Sequence, residues 1–286
     1  EYIVRLSLIN NATALLATLF LGFLLWHNEG IETYNLVVLI GIATGFAASA
    51  LLFRLPEPAG SPLSGDGSGK SDMIACAREA MREGNFRRFV ASYLIIGLGI
   101  GMARPFIAVY CKTVYSQSDG VVAVFTVFSS LGALAMGAVM RLVIDRLGAR
   151  PMYIIFASVT LASLVPAILS PGIGSALFPF VFLAFLSAVT NMGFAGQESA
   201  AQTYFFAMVP KERILDLSMV YYFILGGTGA AGAVIGGTFL DFLSSLGLSA
   251  AASFRVFFLA SACLVAWGVT VQRKLQDAGR FVVIDR

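Results

Sequence analysis

Apolar residues run almost unbroken along this chain, in eight long stretches at about 3–26, 34–55, 86–110, 121–143, 152–169, 177–208, 217–240 and 254–271. Most reach the ~20 residues that a helix needs to cross a ~30 Å hydrocarbon core. A bilayer offers no water to unpaired backbone groups, so a chain this apolar must satisfy them within helices. The pattern predicts an all-α, polytopic transmembrane bundle of eight spans. Polar residues punctuate it only briefly, with one exception. Between the second and third stretches lies a Gly/Pro/Ser-rich linker over 56–69, followed by a short surface helix over 71–83. That helix has Met73, Ala77, Ala80 and Met81 on one side, and Arg78 and Arg82 free to meet anionic headgroups. The chain thus divides into two spans (1–55), a connector (56–85), six spans (86–275) and a short tail (276–286).

Charge sets the orientation. Only 12% of the 286 residues are charged and the mean hydropathy is +0.85. Soluble domains carry roughly twice that charged fraction. If the start of the chain faces the cytoplasm, 16 of the 19 Lys and Arg residues fall on cytoplasmic segments. The positive-inside rule requires such a bias, and the reverse topology violates it. Both ends of the chain are therefore expected in the cytoplasm, with the protein in the plasma (inner) membrane. The small net charge gives no reason to expect a nucleic-acid partner. Cys76, Cys111 and Cys263 are too scattered for a disulfide framework. Gly69-Lys70-Ser71 has the ending of a phosphate-binding loop, but Ser64 stands where the first glycine is needed.

The fourth stretch ends in Arg141-Leu-Val-Ile-Asp145-Arg146-Leu-Gly148-Ala-Arg150-Pro151. This resembles the Asp-Arg-x-Gly-x-Arg cytoplasmic loop of the major facilitator superfamily (MFS) of transporters, in its second-half copy. Leu55-Pro56-Glu57-Pro58 resembles the exit from that family's sixth helix, and Asn85-Phe-Arg-Arg-Phe89 the start of its seventh. Val209-Pro210-Lys211-Glu212-Arg213 is also typical. One departure is Arg141, where the family usually has glycine. The resemblance implies that the first two spans close the N-terminal half and that the other six form the C-terminal half. Four further N-terminal helices are then expected in the same native chain. It also implies a conformational role for Asp145, Arg146, Gly148 and Arg150, with Asp145 approaching the start of the first span near Arg5. Gly148 is expected to ease the reversal of the chain, and the arginines to hold the loop at the headgroups.

Ionisable and polar groups inside spans are costly, which makes them candidates for function. The third stretch carries Arg104, with Tyr93 and Gly97 on nearly the same helical face. Arg104 sits roughly 9 Å from the middle of its stretch, at 1.5 Å per residue. It needs a cavity, a partner or a route outward, and the sequence leaves the three open. In the sixth stretch Ser187, Asn191, Glu198 and Gln202 cluster on one side, with Gln197 beside them. Asn191 lies nearest the centre and is the best candidate for ligand contact. Glu198 suits either proton exchange or a structural or gating ion pair. The glycines from Gly226 to Gly237 read first as a close-packing face.

These features point to a secondary active transporter that moves a small solute by alternating access, with protons as the simplest coupling ion. Neither a cofactor nor a metal is called for. A membrane enzyme would need clustered carboxylates, a Ser/His pair or metal ligands near an interface, and such clusters are lacking. A non-transporting receptor or scaffold on a transporter-like fold is the alternative. It predicts a cavity that is absent or filled by bulky side chains such as Phe178, Phe182 and Phe185.

Overall fold

The computed structural model describes residues 2–27, 30–52, 73–143, 146–169, 177–210 and 213–277. Nine α-helices occupy the described residues: α1 (Tyr2–His27), α2 (Ile31–Leu52), α3 (Met73–Arg82), α4 (Gly84–Tyr115), α5 (Asp119–Val143), α6 (Ala149–Ile168), α7 (Leu177–Met208), α8 (Ile214–Ser245) and α9 (Ala250–Gln272). Seven of them contain stretches long and apolar enough to cross a bilayer, and α1 holds a shorter apolar run over Ala12–Leu24. α3 is the connector helix. Its polar and apolar residues separate to opposite sides, whereas α2 and α6 are apolar all round. Large apolar side chains such as Leu16, Phe46 and Phe223 stay exposed on the outside of the bundle, the arrangement that suits a lipid solvent.

Two long helices organise the packing. α7 runs between α5 and α6, and α4 runs between α8 and α9. α6 also packs on α9, which ties the two groups together, and α1 lies against α5. Small residues allow the close crossings. Gly132 of α5 faces the Ala188 carbonyl of α7 so closely that a β-carbon there would stand 2.0 Å from its oxygen. Thr160 of α6 donates its hydroxyl across the next interface to the Gly193 carbonyl of α7 at 2.8 Å. The turn between α8 and α9 uses Gly247 at φ 75°, a left-handed conformation that glycine adopts without steric cost.

Two buried clusters fill the bundle. One joins Tyr110, Phe125, Phe254, Phe257 and Phe258. The other, at the end where α4 begins and α7 finishes, joins Phe89, Tyr93, Tyr153, Tyr204, Phe205 and Tyr221. At that same end a polar latch grips the segment after α9. Asn85 receives the Gln276 backbone N–H at 2.9 Å, Tyr204 donates to the Gln276 carbonyl at 2.8 Å, and Arg88 donates to the Lys274 carbonyl at 3.1 Å. Arg150 donates to the Arg273 carbonyl at 3.0 Å. α3 docks nearby through an ion pair of Glu79 with Arg213 at 3.1 Å.

Candidate functional site

The two ionisable residues singled out within the spans meet each other. Arg104 Nη1 of α4 lies 2.8 Å from Glu198 Oε1 of α7. The guanidinium also stands over the Phe194 ring, 5.4 Å from its centroid. Both side chains remain about two-fifths exposed, so the pair sits in an open wall rather than in a sealed core. In water such a pair contributes about 1 kcal/mol or less. Within a bilayer either charge alone costs about 2.5–3.5 kcal/mol at a helix centre on insertion scales. Mutual neutralisation, more than attraction, is what the pairing supplies.

Arg104 borders two cavities. The larger, about 540 Å³, lies among α4, α7 and α8, and its wall includes Tyr93, Gln197, Glu198, Gly226 and Gly229. The smaller, about 280 Å³, lies among α4, α5 and α7 and includes Ser129, Ser187, Asn191 and Phe194. Sequence-predicted residues therefore divide between two hollows with Arg104 as their common post. Asn191 donates its Nδ2 to the Ser129 carbonyl at 2.9 Å, which ties α7 to α5. Ser187 is buried in the same small cavity. Gln202 turns away from both and donates to the Tyr222 hydroxyl at 2.8 Å.

Gln197 gains importance in three dimensions. It is only 1% exposed, yet neither amide atom has a hydrogen-bond partner among the described residues. The Tyr93 hydroxyl, in the same wall, is likewise buried, with the Tyr221 side chain of α8 beside it. The α8 glycines divide into two sets. A β-carbon at Gly232 would stand 2.8 Å from backbone atoms of Gly101 and Met102, so this glycine is where α4 and α8 touch. Gly226, Gly227 and Gly229 have nothing within 4 Å of that position. Packing explains Gly232; at Gly226 and Gly229 the missing side chains leave cavity space.

The loop after α5 is less complete. Asp145 and the side chain of Arg5 lie outside the described residues. Arg146 is exposed, while Arg150 belongs to the latch on the segment after α9. Gly148 caps α6 with φ −62° and ψ 159°, extended backbone that any residue adopts, so the reversal does not depend on glycine there. The sequence reading missed the aromatic cluster that packs behind Tyr93 of the larger cavity. Tyr93 and Tyr221 have ring centroids 5.2 Å apart, and Phe205 and Tyr221 4.8 Å. Tyrosines recurring in otherwise apolar stretches were the available signal.

Comparison of the sequence with protein-family models and with curated proteins finds no match. Length, composition and fold therefore carry the assignment. The chain is a multi-pass, all-α membrane protein.

Proposed function

We propose that this protein is a secondary active transporter of the MFS type, moving a small solute by alternating access with protons as the coupling ion. The observation that carries the reading is the Arg104–Glu198 pair in the wall of a 540 Å³ cavity. A carboxylate that neutralises a cation inside a span can release it on taking a proton, which links proton binding to a change in the site. The charged and titratable groups facing Glu198 are Arg104 and Tyr93 from α4 and Tyr221 from α8, with Tyr153 of α6 deeper beside Tyr221. The packing of α1 supports the same reading. Gly22 near the end of α1 stands opposite Ala123 near the start of α5, so the helices run antiparallel. The beginning of α1 thus lies toward the end of α5, where the resemblance expects Asp145 to approach it. Cytoplasmic termini, read from the charge bias, and a plasma (inner) membrane location belong to this proposal. An open cavity counts against a non-transporting scaffold.

The test needs no knowledge of the solute. A single cysteine replaces Gly229, where a side chain has room, in a chain with Cys76, Cys111 and Cys263 changed to serine. In oriented membranes a membrane-impermeant maleimide should label it from both faces, in proportions that shift with pH. Glu198→Gln should remove the pH dependence. Labelling from one face under every condition would overturn alternating access, and unchanged pH dependence in Glu198→Gln would overturn proton coupling through this residue.

A further inference from the structure

The larger cavity has a chemical polarity of its own, and resting on the transport reading above, it narrows the class of solute. One charged group in its wall is Arg104, whose Nη1 lies 2.8 Å from Glu198. A guanidinium presents several N–H groups in a planar fork, and its second edge suits a carboxylate. The middle is apolar: Ile96, Ile100 and Leu225 surround the bare backbone of Gly226 and Gly229. The same wall holds two buried polar groups, the Gln197 amide one residue before Glu198 on α7 and the Tyr93 hydroxyl on α4, beside Tyr221. The Tyr153 hydroxyl, held by Ser92 at 3.4 Å, is the polar group that faces Gln197 from α6. Buried amides in folded proteins nearly always have partners, and one hydroxyl cannot satisfy both the oxygen and the two N–H groups of Gln197. Along α4, Tyr93 and Arg104 are separated by about 16 Å at 1.5 Å per residue, and both side chains reach into the intervening space.

We infer that this cavity binds an amphipathic monoanion: a carboxylate on Arg104, an apolar body against Gly226 and Gly229, and a hydroxyl or carbonyl end on Gln197 and Tyr93. Charge balance favours a monoanion over a zwitterion in a proton-coupled site. Arg104 and Glu198 together are neutral. When Glu198 takes a proton and Arg104 takes a carboxylate, site plus cargo remain neutral. The loaded and empty forms then face the bilayer with the same net charge.

Four probes of one skeleton separate the features: 3-(4-hydroxyphenyl)propionate, 3-phenylpropionate without the polar end, 3-(4-hydroxyphenyl)propan-1-ol without the anion, and tyrosine as the zwitterion. Binding to the full chain in nanodiscs is measured by calorimetry at one fixed pH. The hydroxylated carboxylate should bind tightest, with 3-phenylpropionate about tenfold weaker, the worth of one hydrogen bond, and the alcohol weaker still. Gln197→Leu should erase the advantage of the hydroxylated acid and leave 3-phenylpropionate unchanged. Gly229→Phe, which fills open space rather than displacing a neighbour, should block all four. The inference is overturned if tyrosine binds best, if Gln197→Leu leaves the preference intact, or if the hydroxylated acid fails to bind at millimolar concentration. Binding with this selectivity but labelling from one face only would instead sink the transport reading and leave the ligand assignment standing.

Discussion

Gly229→Ala and Gly232→Ala make the same chemical change on the same helix, three residues apart, and the structure separates their outcomes. In each case alanine gains about 0.8–1.0 kcal/mol over glycine in helix propensity. At 229 nothing lies within 4 Å of the new methyl group, so that gain stands alone. At 232 the methyl would stand 2.8 Å from the Gly101 Cα, the Gly101 carbonyl carbon and the Met102 nitrogen. Carbon atoms normally pack at about 3.5–4.0 Å, so α4 and α8 must part by close to 1 Å. Backbone cannot swing aside as a flexible side chain can, and overpacking of this kind costs about 1–3 kcal/mol. The two variants should therefore differ by about 1–3 kcal/mol, with Gly232→Ala the less stable. At about 2–4 °C per kcal/mol for chains somewhat shorter than this one, melting temperatures in detergent should differ by about 5 °C. A thiol-reactive dye or intrinsic fluorescence melt reads the difference. Equal melting temperatures, or the reverse order, would refute the division of the α8 glycines into contact and cavity sets.

Asn85→Leu should loosen the segment after α9, because Asn85 both accepts from Gln276 and donates to Tyr204 at 3.1 Å; faster limited proteolysis near residues 273–277, with the helical core intact, is the expected result. Tyr204→Phe removes the bond to the Gln276 carbonyl and should have the same effect in milder form. Cys76, on α3 outside the spans, has its thiol pKa raised by burial first and then by Asp216, while Arg213 opposes the shift. A raised pKa leaves less thiolate at a given pH, so maleimide should react more slowly than with a free thiol and accelerate as pH climbs above the ordinary thiol range. Asp216→Asn should speed that reaction and Arg213→Gln should slow it; the opposite order in stopped-flow labelling would contradict the assigned environment.

What the sequence revealed and what it hid follow from the solvent. In a bilayer apolar residues cover both the packed and the lipid-facing sides of a helix, so the stretches located the spans without showing which faces meet. Only α3, which lies outside that solvent, declared its orientation by amphipathic spacing. Arg104 and Glu198 were legible as candidates because charge is rare in a span, but 94 positions separate them, and their pairing depends on how α4 crosses α7. Gln197 looked peripheral on a helical wheel because a wheel shows direction without neighbours; its burial emerges only once the neighbouring helices enclose it. Asn191 looked central, yet its amide is engaged by the Ser129 carbonyl. The α8 glycines read alike in one dimension and separate only where Gly101 approaches Gly232.

The latch on the segment after α9 carries a consequence for how this protein can diverge. Asn85, Tyr204, Arg88 and Arg150 address backbone groups of Arg273, Lys274 and Gln276. A grip on the main chain does not ask which side chain is attached. Residues 273, 274 and 276 can therefore drift in identity while the hold persists, whereas Leu275 is buried in the aromatic cluster and is held by its side chain; selection should otherwise fall on the residues that do the holding. Proline at 276 is the exception, since it removes the N–H that Asn85 receives. Related chains should keep the hand and vary the glove.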